Sequence, residues 1–304
     1  MKYFTLNEYV QLPDEDESYL IDGFLPRAGR IMLMGPAKEG KSFLAIQIGL
    51  AIAKGEEFMG RPTAQGRVLY LQYDTPHKLW LKRMRKLAKA GVKLHDNFMV
   101  LDPSDYEYRN SIDVLNEEHA EYLKNVVDSI QPDVVIIDTL RKLYNGDENN
   151  SAIAKQVFDI LNTVFVDRAV VYIHHSHKLS PPPGQKVMAR TPPRDAARGT
   201  SYFADEVDAI YMLLGSRLTS NCRFDEDIDE QLGKDSVTHL WTFPDASQKK
   251  KYEENVRKLW ATRKPGMDWL AFRKFVSHTI VDIPDHIMTR LEAELSSQMP
   301  SSSS

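Results

Sequence analysis

Residues Gly35-Pro36-Ala37-Lys38-Glu39-Gly40-Lys41-Ser42, continued by Phe43, follow the spacing G-x-x-x-x-G-K-S. Glycines at both ends let the backbone wrap so that its N–H groups face one point, and a helix starting there adds partial positive charge. Lys41 brings a full charge to that point and Ser42 a hydroxyl, a donor set suited to a phosphate chain with its Mg²⁺ ion. Far downstream, Asp138 closes the aliphatic run Val134-Val135-Ile136-Ile137. A carboxylate at such a strand end can face Ser42 across the ion, although an isolated Asp there also reads as a helix N-cap. Asp74, after the run Val68 to Tyr73, can orient an attacking water or simply open the turn at Thr75-Pro76.

His174-His175-Ser176-His177 has the composition of a metal site. Neighbours on a strand face opposite ways, so His174 and His175 cannot share one ion from regular geometry. His175 is read instead as a polar sensor of the phosphate chain, with a satisfied buried histidine as the alternative. Arg198 can neutralise charge on a phosphate held by a neighbouring subunit, or pair with Asp195 or Asp205. Lys178, Lys186, Arg190 and Arg194 stand in or beside a Pro- and Gly-rich stretch whose one acid is Asp195. Such a cationic segment suits the phosphates of a nucleic acid strand. A second basic cluster, Lys249-Lys250-Lys251 with Arg257, Lys258, Arg263 and Lys264, lies among helical residues, where a solvated face is the default.

The elements that must position these groups are legible as periodicity. Arg30 to Met34 is a strand ahead of the glycine loop, and Phe43 to Ala53 a helix behind it. Strand runs at 67–73, 97–101, 133–138, 169–175 and 209–214 alternate with helical patterns at 78–90, 116–130 and 152–166. Continuous aliphatic strands separated by helices predict an α/β fold with a mostly parallel sheet covered on both faces. Asp225 to Glu230 reads as a solvated acidic loop, and Val237 to Phe243 alternates like a final strand. Boundaries are expected at a lead-in over 1–29, a core over 30–245, a helical segment over 246–298 and a disordered tail over 299–304.

A net charge of −4 excludes a global positive field, so any nucleic-acid site must be a local patch. The one cysteine, Cys222, permits no internal disulfide and fits a reducing compartment. There is no signal-peptide pattern at the N-terminus and no apolar run of membrane-spanning length. A cytoplasmic protein without membrane contact is expected.

Taken in order, Tyr19 to Pro26, the glycine loop, Val68 to Asp74, Ile136-Ile137-Asp138-Thr139-Leu140-Arg141, Ile173-His174-His175 and Arg198-Gly199-Thr200-Ser201 resemble RepA-like ATPases of the RecA/DnaB-type P-loop branch. The resemblance covers about residues 18–215. It implies a RecA-like core and a hexameric motor dependent on ATP and Mg²⁺, whose best-known members are replicative helicases. It further implies Lys41, Asp74, Asp138 and His175 acting from one subunit, Arg198 from the next, and the loop after His175 gripping single-stranded DNA, with replication proteins as further partners. Many relatives carry Glu where this chain has Asp74. A RecA-like recombination ATPase and a regulatory ATPase acting on a protein partner are the alternatives.

Overall fold

The structure is a computed structural model that describes residues 3–11, 18–101, 112–176, 201–243, 246–263 and 267–279, together with Leu291 and Leu295. Arg198, Lys178, Lys186, Arg190 and Arg194 lie outside the described residues, as do 299–304. A short helix α1, Leu6–Tyr9, is closed by a capping box between Thr5 and Glu8 and buries none of its residues.

A two-stranded hairpin, β1 (Tyr19–Ile21) and β2 (Leu25–Pro26), leads into the central sheet. The parallel strands of that sheet are β3 (Arg30–Gly35), β4 (Val68–Gln72), β5 (Phe98–Leu101), β6 (Val134–Asp138), β7 (Ala169–His175) and β8 (Ala209–Leu214). Between them run α2 (Lys41–Lys54), α3 (His77–Lys89), α4 (Glu117–Ile130), α5 (Ser151–Val164) and the short α6 (Tyr202–Asp205). Two antiparallel strands, β9 (Arg217–Cys222) and β10 (Asp229–Gln231), complete the order β10-β9-β8-β3-β7-β6-β4-β5. The fold is therefore α/β with a mostly parallel sheet, as the aliphatic strand runs require.

Each central strand is buried along its length, and the two faces divide its side chains by parity. Ile31, Leu33, Val68, Tyr70, Val134, Ile136, Val171 and Ile173 pack with α2 and α3. Met32, Met34, Leu69, Leu71, Val135, Ile137, Val170 and Tyr172 pack with α4, α5 and α6 on the other face. Each such side chain contributes about 1.5–3 kcal/mol by burial. The parity fixes which polar residues at the strand ends can meet the glycine loop: those in step with Ile136 and Ile173.

The acidic run departs from the solvated loop expected of it. Its last part pairs as edge strand β10, because Arg217 Nε and Nη2 grip both oxygens of Asp229 at 2.6 Å each. Val237 to Phe243 departs as well. The Asp235 carboxylate accepts from Val237 N, Thr238 N and Thr238 Oγ1, which bends these residues into a turn. Extended pairing survives only between β11 (Gly233–Lys234) and β12 (Trp241–Thr242), a hairpin separate from the main sheet. Beyond it, α7 (Ala246–Ala261) and α8 (Trp269–Thr279) share an apolar cluster of their own, with Trp260, Trp269 and Phe272 ring against ring.

Candidate functional site

Strand β3 ends at Gly35, where φ is 151° and a Cβ would collide with the Leu213 carbonyl oxygen, leaving no room for a side chain. The chain then turns through Lys38 at positive φ to Gly40, the N-cap of α2, at φ 102°. A Cβ on Gly40 would lie 2.9 Å from the Trp241 ring, so glycine is required there by both conformation and space. The loop borders a cavity of about 310 Å³, with Lys38, Gly40 and Ser42 in its wall. Lys41, Ser42, Asp74, Asp138 and His175 all line it. Lys41 and His175, 134 positions apart in the chain, meet because β7 pairs directly with β3, and β6 follows next in the sheet.

Lys41 is 5% exposed, and its Nζ donates to Gly35 O at 2.8 Å and Pro36 O at 2.7 Å. His175 Nδ1 lies 3.5 Å from Nζ, and because a charged lysine only donates, Nδ1 is the acceptor of that pair. Burial draws the Lys41 pKa down to about 8 against the opposing pull of Asp138, Asp74 and Glu39. His175 shares the face of Val171 and Ile173, toward the loop, whereas His174 is buried on the opposite face against Phe203, ring centroids 5.2 Å apart. The two histidines thus diverge as strand geometry demands.

Asp138 is fully buried at the end of β6. Its Oδ2 accepts a 2.7 Å hydrogen bond from Tyr70 of the neighbouring strand β4, while Oδ1 has no well-formed partner. Burial raises its pKa; the Tyr70 and Ser42 hydroxyls act in the opposite sense, so Ser42 faces this carboxylate. The peptide bond that follows Asp138 is cis. Arg141, in the 3-10 turn Leu140–Leu143, folds the next loop by donating to Tyr144 O and Gly146 O.

Asp74 N bonds Asp138 O at 3.0 Å, tying the two acidic strand ends together. The turn at Thr75 is closed by Gln72, whose carboxamide accepts from Thr75 N at 2.9 Å and donates to Thr75 O at 2.7 Å. The Asp74 side chain is therefore not needed to make the turn and stands exposed at the cavity. Magnesium keeps several waters and phosphate oxygens as ligands, so one or two protein donors suffice. A buried carboxyl group with one orphaned oxygen and the Ser42 hydroxyl beside it is a fit for such an ion. Arg198, Lys178, Lys186, Arg190 and Arg194 lie outside the described residues.

Sequence reasoning passed over three groups at this site. Tyr70 reads as one more apolar strand residue. Arg83, on α3, lines the cavity although it lies between the buried Trp80 and Leu87; an arginine on the core-facing side of a helix was the available signal. Lys234 reaches the cavity from the β11–β12 hairpin, its Nζ 4.9 Å from the centre of the Trp241 ring. That hairpin is strapped to α2: Trp241 Nε1 donates to Gly40 O at 3.2 Å, and Gln47 bonds the Trp241 backbone twice, at 2.7 and 2.8 Å.

The family model for an AAA domain, AAA_25, matches residues 4–181, more than half of the chain. The chain belongs to that family. Its members are P-loop ATPases of the RecA/DnaB type, which implies use of a nucleotide and, as a rule, Mg²⁺. Among solved structures, the ATPase domain of G40P is similar with a TM-score of 0.53 at 11% identity, over 79% of this chain and 96% of that one. At that identity the likeness concerns the fold alone. No helix among the described residues of this AAA_25 protein is long and apolar enough to cross a membrane.

Proposed function

We propose that this P-loop ATPase is a ring-forming motor that hydrolyses ATP to translocate along single-stranded DNA, as a replicative helicase of the RepA-like type. The observation that carries the reading is the convergence of Lys41, Ser42, Asp138, Asp74 and His175 on one cavity at the carboxyl edge of a RecA-type sheet. Lys41 exchanges its loop carbonyls for phosphate oxygens and neutralises charge that builds up as the terminal bond breaks. Ser42 and Asp138 would hold Mg²⁺, which when bound would supply neutralisation of the phosphate charge. Asp74, exposed and not engaged in its own turn, orients the attacking water.

His175 is within reach of both Lys41 and the cavity and begins the segment that leads to Lys178, Lys186, Arg190 and Arg194. Phosphate occupancy at the cavity is thereby communicated to a cationic segment suited to DNA. Arg198 belongs to the site of the adjacent subunit, so nucleotide lies at subunit interfaces, and the RepA-like resemblance makes that assembly a homo-hexamer. The C-terminal aromatic cluster is less suited to stacking on bases, because Trp260 and Trp269 are buried in it.

ATP turnover measured with and without single-stranded DNA, alongside native mass, tests the reading. Stimulation by DNA and a six-fold mass support it. Turnover indifferent to DNA in a monomer points instead to a regulatory ATPase that acts on a protein partner.

A further inference from the structure

Two polar side-chain atoms at the cavity are buried without a hydrogen-bond partner, and they carry opposite charge: Asp138 Oδ1 and Arg83 Nη1. A metal ion would account for the first. The second calls for an anion.

Arg83 lies on α3 three residues after Trp80, and its guanidinium carbon sits 4.8 Å from the centre of the Phe43 ring and 5.7 Å from that of Trp80. Phe43 directly follows Ser42, so the guanidinium is parked beside the first turn of the P-loop helix. Among the described residues no carboxylate pairs with it, and no acceptor takes the Nη1 hydrogens. Asp138 feels its charge only at longer range, and Asp138 Oδ2 is held by Tyr70. Arg83 as a whole is half-buried, but its Nη1 has left water without gaining an acceptor, a loss that ring stacking returns only in part. That deficit is removed when a phosphate oxygen enters the cavity, since the arginine fork fits phosphate in two-point geometry.

We propose that Arg83 is a phosphate-binding residue of this chain's own nucleotide site, turning on the Phe43 ring to grip a phosphate oxygen in the cavity that Lys41 also lines. The proposal rests on the P-loop reading of the cavity and adds to it a second cation from the same subunit.

The test is calorimetric binding of magnesium ATP and of magnesium tripolyphosphate, which has no base or ribose, to the full chain and to Arg83→Met. Methionine keeps a stem over Phe43 and removes the charge. Both ligands are expected to weaken by the same factor, about tenfold or more, with no loss of thermal stability in the free protein. Arg83→Lys, which keeps the charge but not the fork, is expected to fall between the two and serves if the methionine variant folds poorly. Unchanged affinity overturns the proposal. So does a loss confined to ATP, which would assign Arg83 to the base or ribose, and so does a loss that only tracks a lowered melting temperature. Failure of the unaltered chain to bind either ligand removes the P-loop reading itself, a result distinct from the others.

Discussion

The Tyr70 hydroxyl donates a 2.7 Å hydrogen bond to Asp138 Oδ2, joining the middle of β4 to the end of β6 inside the core. The Tyr70 ring is held by Trp80 and Phe98, with centroids 5.0 and 5.7 Å away, so the donor cannot swing off. One carboxylate oxygen is thereby committed to the protein and the other is left without a partner, with Ser42 beside the carboxyl group. Tyr70→Phe is expected to cost about 1–3 kcal/mol of stability in denaturant titration, because Asp138 keeps its burial and loses its donor. The same variant should need more Mg²⁺ for half-maximal turnover. Unchanged stability and unchanged metal demand would show that the bond positions nothing.

Lys41 has a pKa drawn down to about 8 in the folded chain from an ordinary 10.5. Between those values the unfolded chain holds a proton that the folded chain has released, so stability rises with pH across that window. The gain is at most about 3 kcal/mol and is absent in Lys41→Met. Below about pH 8 the charged side chain bears its full burial cost. Arriving phosphate favours the charged form and returns the proton. Calorimetry at about pH 8 in buffers of different ionisation enthalpy should therefore record proton uptake on nucleotide binding. Binding with no buffer dependence would contradict the shifted lysine.

Lys41→Ala should abolish nucleotide binding and turnover together, since its ammonium is the charge that the loop carbonyls of Gly35 and Pro36 hold at the cavity. Arg198→Ala should lose hydrolysis and keep binding. Mixing the two variants regenerates sites with an intact lysine and a neighbour's intact arginine, so partial activity is expected in mixtures. Absence of rescue would argue against an arginine acting between subunits.

Gly40→Ala should weaken the site without touching a charged group. Alanine at φ 102° is strained, and its methyl would press on Trp241 at 2.9 Å. A stability loss of about 1–3 kcal/mol is expected by thermal or denaturant unfolding. Trp241→Ala should relieve that clash in the double variant while detaching the β11–β12 hairpin from the loop. Equal stability of Gly40→Ala and the unaltered chain would show that the hairpin yields freely.

Replacing Lys186, Arg190 and Arg194 by Gln should weaken single-stranded DNA binding and flatten its dependence on salt, the slope falling by about 0.7 for each phosphate that is no longer neutralised. Equal affinity and slope would clear the segment of that role.

The sequence by itself determined the local devices. Glycine spacing set the loop, continuous aliphatic runs set the parallel strands, and two-residue parity already separated His174 from His175. Each of those depends on residues close in the chain. Tertiary structure decided what depends on pairing across long separations. Strand order put Asp138 and Asp74 side by side, and Gln72 rather than Asp74 closed the turn. A strand that alternation alone predicted at 237–243 gave way to the turn that Asp235 ties. Tyr70, Arg83 and Lys234 became site residues only because sheet and helix packing turned one phenol and two cations toward the same site. An aromatic strand position such as Tyr70 and a hairpin lysine such as Lys234 carry no local mark of what will face them, and the core-facing place of Arg83 on α3 does not say which anion it would meet. Their chemistry is set by the neighbours that the fold supplies.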